Sequence, residues 1–422
     1  MKATVSEPES WKRIIDIEVP EQEINSAFEK KLNDLKRNLK LPGFRAGKIP
    51  PALIKQRFGS SIRAEVIEEL IQKYFKDACE QNNINPVSLP QVKNLKADEG
   101  EALTFSIETE VDPEIDIKDY NKLKIKTQPE EITESHIEES LKNLRERFAE
   151  FKDAGRPAQK GDYVKLEYLK VIIDGQERND ISFPKYPVEL GAQNRIEDFD
   201  EGIFGHSVDE TIDLKIKFPD DYADTQVAGK DGEFQIKILS VQQKVLPEIN
   251  EEFLQKMGNF KSESDLREHI KQSLEQEALN RAKEEAYNQA IDTLIENNPF
   301  DVPPTRIEQA IDFYYNQTMQ YQIPNAPAPS RDEIAEKFRD VALRAVKRQR
   351  IIDFIADKEK IKPTPEEVDN EIRRLAEMYN HPFEQLKQQF RKNGTTLRIR
   401  EDIMERKTLD YLIGEYTPEK KD

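Results

Sequence analysis

Cysteine is nearly absent from this chain. The single Cys79 excludes an internal disulfide. Lying in a helical run after Tyr74-Phe75, it reads as a core residue of a protein from a reducing compartment. Histidine is scarce as well. His136, His206, His269 and His381 stand far apart in no metal-ligand spacing, so no metal is expected. Long apolar runs are missing, and none approaches the ~18–20 residues of a membrane span. Met1 to Pro8 has no apolar stretch of the kind a secretory leader carries. No glycine loop is followed by the Lys-Ser or Lys-Thr pair that grips nucleotide phosphates. The expectation is a soluble, cytoplasmic protein without metal, nucleotide, other cofactor or membrane partner.

Charge is abundant. Hydrophobic residues make up 36% of the 422 and charged residues 35%, with a net charge of −18. So polar a chain suits several small cores in an elongated body better than one large core. The charge is unevenly spread. From Lys30 to Arg63 ten cations face one anion, Asp34. A basic window on an acidic body suggests docking on nucleic acid through that window alone.

The window is centred on Leu41-Pro42-Gly43-Phe44-Arg45-Ala46-Gly47-Lys48-Ile49-Pro50. Gly43 and Gly47 permit backbone angles closed to other residues, and Pro42 and Pro50 interrupt helix on either side. A stiff loop between two helices would present Phe44, Arg45 and Lys48 outward. This segment resembles the ribosome-docking loop of the trigger factor family, whose pattern is Gly-Phe-Arg-x-Gly-Lys-x-Pro. The resemblance implies a ribosome-binding site at Gly43, Phe44, Arg45, Gly47 and Lys48, facing exit-site protein and ribosomal RNA. Ala46 stands where the family often has a cation.

The rest of the chain divides by pattern into a multi-domain α+β protein. Residues 1–112 read as an α+β module: a strand with Ile15, Ile17 and Val19 on one face, helices over Glu21 to Lys40 and Pro51 to Asn82, and a strand at Leu103–Ile107. Residues 113–149 read as a connector with a charged helix from Glu134 to Glu150 through Ile137, Leu141, Leu144 and Phe148. Residues 150–245 alternate as an antiparallel sheet with one buried face, through Val164, Leu166, Tyr168, then Ile212, Leu214, Ile216, Phe218, then Phe234, Ile236, Ile238. Residues 246–422 read as all helical. Leu266, Ile270, Leu274, Ala278, Ala282, Ala286 and Ala290 recur every four residues, and Pro324, Pro327 and Pro329 mark a loop.

The segment 150–245 resembles the FK506-binding type of prolyl isomerase that the trigger factor family carries here, an antiparallel half-barrel with a short helix. The resemblance implies a proline pocket of Tyr168, Ile196, Phe199, Tyr222 and Phe234, with the Ile196 N–H meeting the substrate carbonyl. Two positions depart from the family. Ile196-Glu197-Asp198-Phe199 replaces Ile-Pro-Gly-aromatic, and Arg178 stands where an aromatic is expected. Charge at the lip opposes an apolar ligand, so isomerase activity is left open.

In the helical part, Phe313, Tyr314, Tyr315, Met319 and Tyr321 cover more than one helical face. Exposed aromatics and Met suit varied partners, and the resemblance implies arms that hold nascent and unfolded polypeptides. The leading expectation is an ATP-independent ribosome-docked chaperone. The alternative is a stand-alone FK506-binding-type isomerase with helical client-binding arms. A homodimer of the free protein stays open.

Overall fold

The computed structural model describes residues 2–39, 44, 49–98, 100–178, 187–192, 196–220, 227–321 and 328–414. The chain forms two compact units, Met1–Gln128 with Lys283–Asp422, and Pro129–Ala282.

The first unit starts with strands β1 (Lys2–Glu9) and β2 (Lys12–Val19), helices α1 (Glu21–Asn38) and α2 (Pro51–Gln81), and strands β3 (Gln91–Lys96) and β4 (Leu103–Glu110). The sheet is antiparallel in the order β1-β2-β4-β3. Register places Ile15 opposite Ile107, Ile17 opposite Phe105 and Val19 opposite Leu103. All six are buried, because alternation sends every second side chain to the helix-covered face. Helix α1 has Glu21 and Glu23 in its first turn and Lys36 and Arg37 in its last, which suits the helix dipole. Helix α2 begins on Pro51, where a missing N–H costs nothing. Ile62, Val66, Leu70, Tyr74 and Ala78 then bury one stripe of it at four-residue steps, with Cys79 buried alongside.

The second unit holds α3 (Glu134–Arg147), β5 (Glu150–Asp153), β6 (Asp162–Ile173), β7 (Gln176–Glu177), β8 (Val188–Glu189), α4 (Glu197–Glu201), β9 (Thr211–Lys217), β10 (Asp231–Val245), α5 (Glu251–Gly258) and the first part of α6 (Glu263–Asn297). Its six described strands pair antiparallel. The long β10 joins β6, β9 and β5, while β6 also takes β7 and β8. Val164, Leu166, Ile212, Leu214, Ile216, Phe234, Ile236 and Ile238 form its core, which is the alternation expected of a one-faced sheet. Helix α3 buries Ile137 and Leu141 as expected, but Phe148 is exposed. It caps the helix instead of continuing it, and its ring meets Phe253 edge-on at 6.1 Å.

The first unit resumes after α6 with α7 (Pro304–Gln320), α8 (Arg331–Lys358), α9 (Pro365–Met378), α10 (Phe383–Lys392) and α11 (Thr395–Ile413). Reciprocal caps Ser330–Glu333 and Thr364–Glu367 start α8 and α9. Tyr287, Ile291, Leu294, Ile351, Ile352, Ile355, Leu409 and Leu412 share a core with Ile117 and Tyr120. The early connector residues therefore pack onto the helices and are no free tether. The same junction is polar at its rim. Arg306 forks onto Asp112 at 3.2 and 2.7 Å, the Thr305 N–H donates to Glu110 at 2.8 Å, and Arg350 donates to the Pro113 carbonyl at 3.1 Å.

Two phenols in this core titrate late. Tyr120 donates to Glu359 at 2.6 Å, and that bond, with burial, pushes its pKa to about 12 from 10.0. Burial, then the bond to Asp410, pushes Tyr287 likewise to about 12. A raised folded-state pKa gives stability that is fully present below pH 10 and lost as pH rises toward 12. The urea midpoint should fall more steeply across that window in the wild type than in a Tyr120→Phe, Tyr287→Phe variant. Equal slopes would contradict the assignment.

Candidate functional site

The basic window of the sequence takes in parts of α1 and α2. Ile49 is 1% exposed and anchors the entry to α2, while Phe44 is 42% exposed. Gly43, Arg45, Gly47 and Lys48 lie outside the described residues. The flanking cations fall into two groups. Lys31 bridges Glu65 and Glu69, Arg37 lies 3.8 Å from Asp34, and Arg63 donates to the Ala97 and Asp98 carbonyls at 3.0 and 2.8 Å. Lys55 sits 5.7 Å above the Phe28 ring. Lys30, Lys36 and Arg57 have no ion-pair partner among the described residues. The high positive count along the sequence thus overstates the charge available to a partner, because part of it is used to join α1 to α2.

The second unit brings four rings together. Tyr168 on β6 stacks with Phe199 on α4 at 6.3 Å and meets Phe234 on β10 edge-on at 6.3 Å. Phe199 stands at 90° to Phe234 at 5.5 Å, and Phe218 lies 6.2 Å from Phe234. Phe218 is the ring that the strand alternation placed in the core without marking it as part of this cluster. Gly232 makes room for it. A Cβ there would lie 2.7 Å from the Phe234 ring and 2.9 Å from the Phe218 ring.

Ile196 is half-buried at the start of α4, packed on the same core. Its carbonyl accepts the N–H groups of Phe199 at 3.1 Å and Asp200 at 3.3 Å. Its own N–H, beside the rings, has no hydrogen-bond partner among the described residues. Asp198 is exposed and Arg178 half-buried. Tyr222 lies outside the described residues. Sequence reasoning missed Asp200, a carboxylate only 2% exposed that accepts the Gly191 N–H at 2.7 Å. An acidic residue in an acidic run carries no signal of its burial.

Phe313 on α7 is 64% exposed and Tyr321, the residue that ends that helix, 79%, whereas Tyr315 and Met319 are half-buried. Tyr314 stacks on Phe338 of α8 at 5.4 Å. The expected aromatic group is therefore split between an outward face and the α7–α8 packing. No group of His, Cys, Asp and Glu among the described residues is placed to hold a metal ion. No described helix is long and apolar enough to cross a membrane.

Comparison with known proteins covers the chain in three parts. Residues 1–144 match the family described as bacterial trigger factor protein, residues 154–239 match FKBP-type peptidyl-prolyl cis-trans isomerase, and residues 264–414 match the trigger factor C-terminus. A trigger factor of Koribacter versatilis is 31% identical over 410 residues, spanning 95% of this chain and 94% of the relative. One of Solibacter usitatus is 29% identical over 413 residues, spanning 96% and 97%. A solved structure of the trigger factor chaperone, from work on its promiscuous substrate recognition in folding and assembly, aligns with a TM-score of 0.54 at 20% identity. It covers 98% of this chain and all of that one, a likeness of fold.

Proposed function

This chain belongs to the trigger factor family of ribosome-associated chaperones, and from that premise we propose that it docks at the ribosomal exit site and shields nascent polypeptides without ATP. The observation that carries the reading is coverage of 95% of the chain by a relative of this kind, together with an exposed Phe44 between two helices rich in cations. Phe44 inserts into an apolar cleft, and Arg45 and Lys48 pair with phosphate or carboxylate groups. Lys30, Lys36 and Arg57 add positive charge near the contact. Phe313 and Tyr321 offer apolar surface to unfolded chains, with Tyr314 and Met319 beside them. The division into 1–112, 113–149, 150–245 and 246–422 is proposed with it, as are a cytoplasmic location and a homodimer of the free protein.

The middle unit is proposed as a weak prolyl isomerase. Rotation about the Xaa-Pro bond meets a barrier of ~18–20 kcal/mol. A ring-lined pocket favours the twisted, less polar amide without a nucleophile, and the Ile196 N–H holds the substrate carbonyl. The rings of Tyr168, Phe199 and Phe234 and an Ile196 N–H without a partner among the described residues support the reading.

The test is co-sedimentation with vacant bacterial ribosomes across a salt series, beside suppression of aggregation of an unfolded client. Pelleting that weakens with salt is expected. A protein that stays in the supernatant at low salt would sink the docking reading. A Phe313→Ser, Tyr321→Ser variant should suppress aggregation less well while pelleting normally.

A further inference from the structure

The turn at Leu190–Gly191 is fastened from two directions. Leu190 is 1% exposed. Its N–H donates to the Asp162 carbonyl at 2.9 Å, and its carbonyl accepts from the Gly161 N–H at 2.9 Å. Asp162 is itself buried and gripped by Arg156 at 2.6 and 3.0 Å. Gly191 has φ +81°, a conformation that other residues adopt only with strain, and a Cβ there would meet the Lys160 side chain at 2.7 Å. Its N–H points to the buried Asp200 carboxylate at 2.7 Å.

A buried carboxylate is costly unless it is well bonded, and its neighbours on α4 and beyond, Phe199 and Ile203, are apolar core residues. The Ile196 carbonyl, which starts α4, is held by the N–H groups of both Phe199 and Asp200. One short segment therefore carries a ring of the cluster, the Ile196 N–H and the carboxylate that ties the segment to Gly191. We propose that Asp200 is a positioning residue of the proline pocket. Through Gly191 it fixes where the Phe199 ring and the Ile196 donor stand, and it touches no substrate itself. The inference rests on the isomerase reading of the same cluster.

The experiment compares full-length wild type, Asp200→Ala and Asp200→Asn on a proline-containing peptide. Amide hydrogen exchange is followed at Gly191, and the amide chemical shifts of Ile196 and Phe199 are recorded. Asparagine keeps an oxygen that can accept the Gly191 N–H, and alanine does not. The alanine variant should lose about tenfold in kcat with KM little changed, because ring and donor act mainly on the twisted state. Its Gly191 amide should exchange faster, and the asparagine variant should recover most of both. Should alanine lower the urea midpoint of the unit, Asp200→Glu, one methylene longer, is read in its place and should lower kcat at an unchanged midpoint. Wild-type kcat in the alanine variant, or an equal loss with asparagine, overturns the proposal. A wild type that does not isomerise the peptide ends the isomerase reading alone. Asp200 is then judged by the shifts, and unmoved Ile196 and Phe199 signals in the alanine variant overturn the positioning role.

Discussion

A Phe44→Ala, Arg45→Ala variant is expected to remain in the supernatant under conditions where the wild type pellets with ribosomes. Burying one Phe contributes about 1.5–3 kcal/mol and one charged hydrogen bond a similar amount. Losing both lowers affinity more than about a hundredfold. If Arg45 meets a phosphate, the salt dependence of any residual binding should also flatten by roughly one counterion. The fold should not suffer. Phe44 is 42% exposed, and surface positions of this kind change stability by about 0.5 kcal/mol or less. The urea midpoint of the variant checks that. Equal pelleting by variant and wild type would place the contact elsewhere on the chain. Lys30, Lys36 and Arg57, which have no ion-pair partner among the described residues, would then be the next to replace.

The second large effect is expected from Phe234→Ala. This ring touches Tyr168, Phe199 and Phe218 and is 3% exposed. Its removal leaves a cavity where three rings converge, and such changes cost about 3–5 kcal/mol. Aromatic pairs lost with it add about 0.5–1.5 kcal/mol each beyond area alone. The protein has two compact units, so unfolding need not be a single transition. The urea transition of the second unit should move to lower denaturant, and any isomerase activity should disappear with it. Ribosome pelleting should persist, because Phe234 belongs to a different core from the basic window. Unchanged stability would mean that the rings do not share one core. Lost pelleting would mean that the two units depend on each other.

Much of the local structure was legible because burial on one face leaves a period. The alternation of Ile15, Ile17 and Val19 and that of Ile212, Leu214 and Ile216 became the buried faces they imply. Edge strands left no such trace. β1 carries two glutamates and a proline and turns inward only Ala3 and Val5, while every residue of β3 is exposed. β7 and β8, at two residues each, are too short to show alternation. The Leu266–Ala290 stripe was legible as burial but not as membership. A four-residue repeat drifts about 40° per step around a helix of 3.6 residues per turn. Its start packs with Phe253 and Leu141, whereas at its end Tyr287 and Ile291, on either side of Ala290, join Ile117 and Ile352.

The sequence by itself determined the order of modules, the basic window with its Gly-Phe-Arg-Ala-Gly-Lys segment, and the aromatic residues of the middle unit, because these are properties of neighbouring residues. Tertiary structure alone decided the rest. It returned residues 283–422 to the N-terminal sheet through Arg306 and Asp112. It split the connector, so that Ile117 and Tyr120 serve the helical core while α3 serves the other unit. It also spent part of the basic window on internal ion pairs and buried Asp200 under Gly191. Periodicity reports that a face is covered. What covers it depends on contacts between residues far apart in the chain, and no local pattern encodes those.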